Sequence, residues 1–238
     1  MRGLFVTGTG TGVGKTVLSA ALLAAMSTAG VRVRAHKPVV TGLDDPSETA
    51  WPPDHELLAG VAGMTPEEVA PLRYGPAVSP HLAARLAGET IDPAELVARA
   101  RAASSDADQR NGALIVEGVG GLLVPLADDF TVRDLAAALG LPVVIAANPG
   151  LGTINHTLLS IESARAAGLD VRAVVLTPWP QAPGELERSN RDTIARLGEI
   201  EVAGLAHIPN PSTVGLARAG SALPWQRWCP ESFIPSDA

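Results

Sequence analysis

The chain has 238 residues, of which 46% are hydrophobic and 18% charged, and its 18 basic and 25 acidic side chains give a formal net charge of −7. This composition is typical of one folded domain over 1–238, and the single cysteine, Cys229, excludes a disulfide framework within the chain. The acidic balance disfavours nucleic acid and anionic membranes as partners, and no apolar run is long enough for a membrane span or a signal peptide. We therefore expect a cytoplasmic protein that acts on small molecules.

Short apolar runs rich in β-branched residues alternate with longer segments rich in alanine and leucine. The short runs predict strands over 3–7, 31–36, 113–116, 142–147, 171–176 and 202–208, and the longer segments predict helices over 16–29, 132–139, 154–166 and 185–197. Helix ends are predicted at the glycines that follow these helices, Gly30, Gly140, Gly168 and Gly198. The alternation indicates an α/β three-layer sandwich with a mostly parallel central sheet and helices on both faces. The segments 42–80 and 224–238 are predicted to be irregular excursions from it.

A glycine-rich turn, GTGTGVGKT over 8–16, lies between the first predicted strand and the first predicted helix. Its glycines allow successive backbone N–H groups to point at phosphate oxygens, and the helix start adds partial positive charge. Lys15 can reach the β- and γ-phosphates, and the Thr16 hydroxyl can coordinate Mg²⁺. A lysine at a helix start opposes the helix dipole unless an anion is bound, which argues against a turn without a ligand. The turn is one residue longer than the common G-x-x-x-x-G-K-[ST] loop and predicts a nucleotide site at Gly12, Val13, Gly14, Lys15, Thr16 and Val17.

Lysine is rare in this chain, because only Lys15 and Lys37 accompany sixteen arginines. Lys37 ends the second predicted strand, and ligands of open parallel sheets bind outside the carboxyl ends of strands. We therefore expect both lysines in one site that requires a compact ammonium group. The alternative is that Lys37 is a solvated loop residue.

Two carboxylates are candidate metal ligands. Glu117 directly follows the predicted strand 113–116 and precedes three glycines, Gly118, Gly120 and Gly121, which let a ligand or another backbone segment approach closely. A carboxylate at this position can hold Mg²⁺ directly or through water, or it can simply cap the loop. Asp54 precedes an apolar helical run, so it is either a helix N-cap or a metal ligand, and spacing alone leaves both open.

Four motifs together resemble the ATP-dependent dethiobiotin synthetase family. They are the long glycine-rich turn 8–16, HKPVVTG over 36–42, EGVGG over 117–121 and GLGTINH over 150–156, and their order and separations agree over about 3–215. The resemblance implies a homodimeric ligase with a fold like that of P-loop NTPases. It further implies that a 7,8-diaminononanoate (7,8-diaminopelargonate), CO₂ and a nucleoside triphosphate react through an N-carbamate and a carbamic-phosphoric anhydride to give the cyclic urea of dethiobiotin, ADP and phosphate.

The resemblance also implies the site residues. The catalytic residues would be Lys37, Lys15 and Thr11, and the Mg²⁺ ligands would be Thr16, Asp54 and Glu117, with Asp44 and Asp45 as competitors of Asp54. Besides the glycine-rich turn, the nucleotide would contact Glu117, Gly118, Thr177, Pro178, Ile208, Pro209 and Asn210. The substrate would contact Thr11, Lys37, Thr41, Gly120, Gly121, Leu151, Gly152, Thr153, Ile154 and Asn155.

The segment 151–156 opens a predicted helix, whose free N–H groups form an anion site. By resemblance, this helix start takes the substrate carboxylate across the dimer interface, so that each active site includes residues of the partner chain. A plain glycine turn is the alternative.

The sequence departs from the family pattern at two positions. The family commonly has an asparagine that reads adenine after the strand 171–176, and here Thr177 and Pro178 follow instead, which leaves no side-chain amide to match the base. We expect weak discrimination between ATP and other nucleoside triphosphates, with 208–210 as a further loop that can contact the base. Gly12 stands where many relatives carry glutamate.

Two other classes share parts of this pattern. A P-loop partitioning or positioning ATPase has the same fold, but it usually carries a lysine early in the loop, where this chain has Thr9-Gly10-Thr11. Such switches often bind membrane or DNA, whereas Trp225, Trp228 and Phe233 of the tail are predicted to pack on the domain. An amidotransferase-type synthetase would need a glutaminase domain with its cysteine nucleophile, and the lone cysteine lies in the tail.

Overall fold

The structure, a computed structural model, describes residues 2–45 and 51–229. Within these residues, six parallel strands form a central sheet, and two short strand pairs lie outside it. The strands in chain order are β1 (Gly3–Gly8), β2 (Val33–His36), β3 (Val39–Val40), β4 (Leu72–Arg73), β5 (Ala113–Glu117), β6 (Pro125–Ala127), β7 (Phe130–Thr131), β8 (Val143–Ala147), β9 (Val171–Trp179) and β10 (Glu201–Ala206). The helices are α1 (Lys15–Thr28), α2 (Asp54–Ala62), α3 (Pro66–Val69), α4 (Pro80–Leu86), α5 (Pro93–Gln109), α6 (Val132–Leu139), α7 (Thr153–Ala166), α8 (Glu185–Gly198) and α9 (Thr213–Ser221), followed by a short 3-10 helix, Trp225–Arg227.

Helices cover both faces of the central sheet, whose strand order is β10-β9-β8-β1-β5-β2. Successive residues of a strand point to opposite faces. Leu4 and Val6 of β1 therefore pack in the core under α1, α2 and α9, while Phe5 packs in the core under α4 to α8. The predicted α/β three-layer sandwich with a parallel sheet is confirmed.

The strand register brings three predicted site segments to one edge of the sheet. β1 lies between β5 and β8, and β2 flanks β5 on the other side. His36 of β2 lies beside Val116 of β5, so Lys37 and Glu117 follow at the same level, and Val6 of β1 lies beside Glu117. The glycine-rich turn, Lys37 and Glu117 thus leave neighbouring parallel strands at their carboxyl ends, which is where open α/β sheets bind ligands.

The observed bounds differ from the predicted ones in two informative places. β9 continues to Trp179, so Thr177 and Pro178 lie within the strand and not after it. α8 continues through Gly198, and Glu199 is the residue that follows the helix, with φ 45° in the left-handed region. A Cβ on Gly198 would lie 3.0 Å from Ile161 Cδ1, so the glycine permits close packing of α8 on α7. The prediction of a helix end at Gly198 is wrong by one residue.

The longest helix, α5, was not predicted, although its start has a local signal. Asp92 caps it by accepting a hydrogen bond from the Ala94 amide at 2.8 Å, and Pro93 occupies the first helical position. The segment 42–80 contains α2, α3 and β4 in its described part, and β4 pairs in parallel with β3, which directly precedes the segment, so the prediction that it is irregular is wrong there.

The described part of the tail packs on the domain, as predicted. Trp225 and Trp228 are buried, and the Trp228 indole donates to Glu201 Oε2 of β10 at 3.2 Å. Cys229 is buried beside them, and burial raises the pKa of its thiol to about 12, so it is unreactive at neutral pH. Phe233 lies outside the described residues.

Candidate functional site

The glycine-rich turn joins β1 to α1 and curls around the ammonium group of Lys15. Gly12 and Gly14 have φ of 75° and 86°, in the left-handed region that favours glycine. A Cβ on Gly14 would lie 2.7 Å from Thr177 Cγ2 of β9, so this position also lacks space for a side chain. Lys15 is buried, and its Nζ donates to the carbonyl oxygen of Gly10 at 2.7 Å. α1 begins without a side-chain cap or an acidic residue in its first turn, which leaves its amide groups available to an anion.

A compact cluster of charges lies beside this turn. Lys37 Nζ is 2.5 Å from Asp54 Oδ2 and 2.5 Å from Glu117 Oε1, and the Thr16 hydroxyl donates to the same Glu117 oxygen at 2.8 Å. Lys37 is 4% exposed and Glu117 is fully buried. Together with Lys15, the cluster holds two positive and two negative charges. A bound polyanion would contact the two ammonium groups, and the carboxylates of Asp54 and Glu117 could then bind a metal ion.

The pKa values of the cluster follow from burial and from these pairings. Burial lowers the pKa of Lys15 to about 8, with Glu117 acting against it. Burial also acts to lower the pKa of Lys37, but the charges of Glu117 and Asp54 outweigh it and hold that pKa above its ordinary value. Partial burial acts to raise the pKa of Asp54, but the charge of Lys37 outweighs this effect and lowers that pKa below its ordinary value. Lys37 is thus an ammonium and Asp54 a carboxylate at neutral pH.

Of the three candidate aspartates, Asp44, Asp45 and Asp54, it is Asp54 that lies in this cluster. α2 begins at Asp54 and Pro53 is its N-cap residue, so the interpretation of Asp54 as the N-cap is wrong. Its carboxylate instead faces Lys37. Asp44 lies against Gly75, where a Cβ would be 2.1 Å from Asp44 Oδ2, and Asp45 is exposed.

A cavity of about 740 Å³ opens next to the cluster. Its lining includes these predicted site residues: Thr11, Gly12, Gly14, Lys15, Thr16, Val17, Lys37, Thr41, Asp54 and Gly120. The sequence did not predict the other lining residues, most of which are apolar: Val40, Trp51, Ala77, Val78, Ser79, Pro80, Val119 and Val124. Val40, Val119 and Val124 follow β2 and β5 closely, which was the signal available for them, whereas Ala77, Val78, Ser79 and Pro80 follow β4 and had none. The cavity therefore has a charged end and an apolar wall, which suits an anion joined to a hydrocarbon chain.

Several predicted residues lie close to the cavity without lining it. Val13 packs on Gly8 in the turn, and a Cβ on Gly118 would meet Val132 at 2.8 Å. Gly121 packs on the glycine-rich turn, where its Cβ would lie 3.4 Å from the Gly8 carbonyl oxygen. The glycines after Glu117 thus serve packing within the chain, and Gly120 alone of them lines the cavity among the described residues.

The predicted base-contacting residues divide into buried and exposed ones. Thr177 is buried against Gly14, and Ile208 is a buried core residue, so a nucleotide contact at Ile208, which stays a prediction, would have to come from its backbone. Pro178, Pro209 and Asn210 are exposed, and Asn210 Oδ1 accepts a hydrogen bond from the Ser212 amide at 3.3 Å.

The start of α7 forms a second polar feature outside the cavity. Gly152 has φ 87°, and Leu151 is 93% exposed. Thr153 is buried, with its Oγ1 3.3 Å from that of Thr157, so its predicted contact with substrate, which stays a prediction, would have to come from its backbone. In the described part of the chain, four amide groups here find no acceptor, those of Leu151, Gly152, Ile154 and Asn155.

The oxygen ligands of the cluster suit Mg²⁺. Among the described residues, no three His, Cys, Asp or Glu side chains group as a ready metal site. Glu117 Oε2 is buried and has no hydrogen-bond partner, while Glu117, Asp54 and Thr16 supply the hard oxygen atoms that Mg²⁺ prefers. These residues therefore fit a Mg²⁺ ion, whose remaining ligands would come from phosphate and water.

Fold and site together define a P-loop nucleotide-binding protein. A family model described as "AAA domain" matches residues 2–217. A solved structure of the MinC:MinD cell division complex from Aquifex aeolicus shares the fold, with a TM-score of 0.53, 14% identity, and coverage of 92% of this chain and 86% of that chain. At this identity the likeness extends to the fold alone. No helix of the described residues is long and apolar enough to span a bilayer.

Sequence relatives specify the family further. The ATP-dependent dethiobiotin synthetase BioD of Mycobacterium sp. (strain KMS) is 40% identical over 235 residues, with 96% of this chain and 98% of the relative covered. The protein of that name from Anaeromyxobacter dehalogenans (strain 2CP-1 / ATCC BAA-258) is 46% identical over 199 residues, covering 83% and 86%. The chain belongs to the ATP-dependent dethiobiotin synthetase family, which confirms the resemblance found from its motifs.

Proposed function

We propose that the protein is an ATP-dependent ligase that closes the cyclic urea of dethiobiotin from 7,8-diaminononanoate, CO₂ and ATP in biotin synthesis. The observation that carries this proposal is the convergence of Lys15, Lys37 and the open amides of α1 on one cavity with an apolar wall. Membership of the dethiobiotin synthetase family supports it. A switch ATPase of the same fold would not require that wall, and the relatives at 40% identity are synthetases.

The reaction proceeds through three anionic stages. One amine of the substrate attacks CO₂ and loses a proton, which gives a carbamate. A carbamate oxygen then attacks the γ-phosphorus, the bond to the β-phosphate oxygen breaks, and ADP leaves. The second amine attacks the carbonyl carbon of the resulting anhydride, phosphate departs with the bridging oxygen, and loss of a proton leaves the cyclic urea. Each stage is stabilised by cations and N–H groups fixed where negative charge collects.

The chain supplies these groups from the charged end of the cavity. Lys15 would stabilise the transferring phosphoryl group, and Lys37 would bridge the carbamate and the phosphate. Thr11 and Thr41 would donate hydroxyl groups to carbamate or phosphoryl oxygens. A Mg²⁺ ion held by Thr16, Asp54 and Glu117 would neutralise charge on the triphosphate.

A second copy of the chain would complete the site. The amides at the start of α7 suit a carboxylate, yet no residue of 151–155 lines the cavity of its own chain. We assign this helix start to the carboxylate of a substrate bound by the partner in a homodimer, working in the cytoplasm.

The direct test is purified protein incubated with 7,8-diaminononanoate, bicarbonate, Mg²⁺ and ATP. We expect dethiobiotin by mass detection, with one ADP formed for each product. Omission of the diamine should stop ADP formation beyond a slow background. ATP hydrolysis that proceeds equally without the diamine, and without dethiobiotin, would indicate a switch ATPase instead.

The nucleotide base is expected to be weakly selected. Thr177 is buried against the glycine-rich turn and offers no amide, and Pro178 has no backbone N–H. We predict that kcat/KM for ATP exceeds that for CTP by less than 100-fold, a difference of about 2.7 kcal/mol. Steady-state kinetics with both nucleotides check this prediction. Thr177→Asn should raise the ratio of kcat/KM for ATP to that for CTP. A preference for ATP above 100-fold in the unmodified protein would contradict the prediction.

A further inference from the structure

Asn190 of α8 holds the loop that leads from β8 into α7. The side chain is buried, and its Nδ2 donates to the carbonyl oxygens of Pro149 at 2.9 Å and Gly150 at 3.1 Å. Asn148 Oδ1 accepts from the Gly150 amide at 2.9 Å. Two asparagine side chains therefore fix this loop, one from within it and one from a helix about forty residues further along the chain.

These contacts determine where the next amide group points. In a trans peptide, the carbonyl of one residue and the N–H of the following residue point in opposite directions across a rigid plane. Asn190 draws the Gly150 carbonyl toward α8, so the Leu151 N–H must point away from α8. The 93% exposed Leu151 lies on that outer side, where its amide has no acceptor within the described chain.

The same contact aligns the first turn of α7 with that amide. The Gly150 carbonyl also accepts from the Thr153 amide at 3.3 Å, and it thereby joins the loop to the helix start. Release of this carbonyl would free the peptide plane to rotate and would separate the Leu151 amide from those of Ile154 and Asn155. An anion site built from backbone amides keeps its affinity only while they point to a common centre.

We propose that Asn190 is a positioning residue, which orients the amides at the start of α7 to bind the substrate carboxylate. This inference rests on the proposed function, because it takes the diaminononanoate as the carboxylate's source. Asn190 itself does not touch the substrate. Its contribution is a fixed direction for donors that belong to the loop.

Two variants test the role of Asn190. Asn190→Leu keeps the number and branching of the side-chain heavy atoms and removes both donor hydrogens, and Asn190→Ala removes the side chain beyond Cβ. We expect the KM for diaminononanoate to rise at least 10-fold in both variants, with the KM for ATP within twofold of the unmodified protein. A loss of folded protein would lower kcat and leave both KM values unchanged. Ser189→Ala, on the exposed neighbouring residue of α8, is the matched control and should change neither constant.

A substrate without the carboxylate distinguishes loss of the oriented amides at the start of α7 from a general disturbance of the active site. In 2,3-diaminononane a methyl group replaces the carboxylate and both amines remain. We expect the Asn190 variants to convert it with the same kcat/KM as the unmodified protein. An unchanged KM for diaminononanoate, or an equal loss of kcat/KM for both diamines, would overturn the inference. Failure of the unmodified protein to make dethiobiotin would contradict the proposed function instead, so the two failures are distinguishable.

Discussion

Replacement of Lys37 by arginine is expected to lower kcat at least 100-fold, although the positive charge is retained. Lys37 is 4% exposed, and its single nitrogen lies 2.5 Å from a carboxylate oxygen of each of Asp54 and Glu117. A compact ammonium group fits between these two oxygens. A planar guanidinium is wider and would displace one carboxylate or leave the position where carbamate and phosphate meet. The measurement is kcat for dethiobiotin formation at saturating substrates.

Arg34 of β2, the strand that directly precedes Lys37, offers a reciprocal control for this substitution. Its side chain is 20% exposed, its Nε lies 2.9 Å from Asp106 Oδ2, and it is not among the residues that line the cavity. Arg34→Lys should retain kcat within twofold, because lysine keeps the charge that pairs with Asp106 and this pair lies outside the cavity lining. Binding of ATP to the Lys37→Arg protein, measured by calorimetry, should confirm that it is folded. A kcat within 10-fold of the unmodified value would refute the role assigned to Lys37.

Glu117→Gln is expected to lower kcat 100-fold or more and to raise the Mg²⁺ concentration needed for half-maximal activity. Glu117 Oε1 accepts hydrogen bonds from both Lys37 and Thr16, and the side chain has no exposure to water. The glutamine amide has the same size, but it removes the negative charge that balances Lys37 and weakens the oxygen ligand offered to Mg²⁺. Titration of activity with Mg²⁺ at fixed ATP gives both quantities.

The control for this second prediction is Glu201→Gln in β10. That glutamate accepts hydrogen bonds from Arg227 and the Trp228 indole. It lies in β10, at the opposite end of the sheet from β2, and it does not line the cavity. Its conversion should leave kcat and the Mg²⁺ dependence unchanged within twofold. If Glu117→Gln retained normal Mg²⁺ dependence, the metal site would have to be built without Glu117. Asp54→Asn, at a half-exposed position, should cost less than Glu117→Gln.

The charged end of the site was predictable because its parts are local motifs placed by one topological rule. The glycine-rich turn, Lys37 and Glu117 each directly follow an apolar strand pattern, and parallel strands present their carboxyl ends at one edge. The sequence therefore determined that the sheet is parallel, which edge of the sheet carries the site, and that both lysines lie in one site. The order of strands around β1 then set them at contact distance, with Lys37 and Glu117 at the same level of β2 and β5.

Only the tertiary structure decided which residues without a local signal enter the site. Spacing left Asp54 between a helix cap and a metal ligand, and the fold turned its carboxylate toward Lys37 while Asp44 packed against Gly75. Periodicity also could not show that Ile208 joins the core or that Asn190 reaches across to the loop before α7. The physical reason is that these contacts join segments distant in sequence, so they depend on how helices and loops pack on the sheet and leave no repeat or motif in the chain itself.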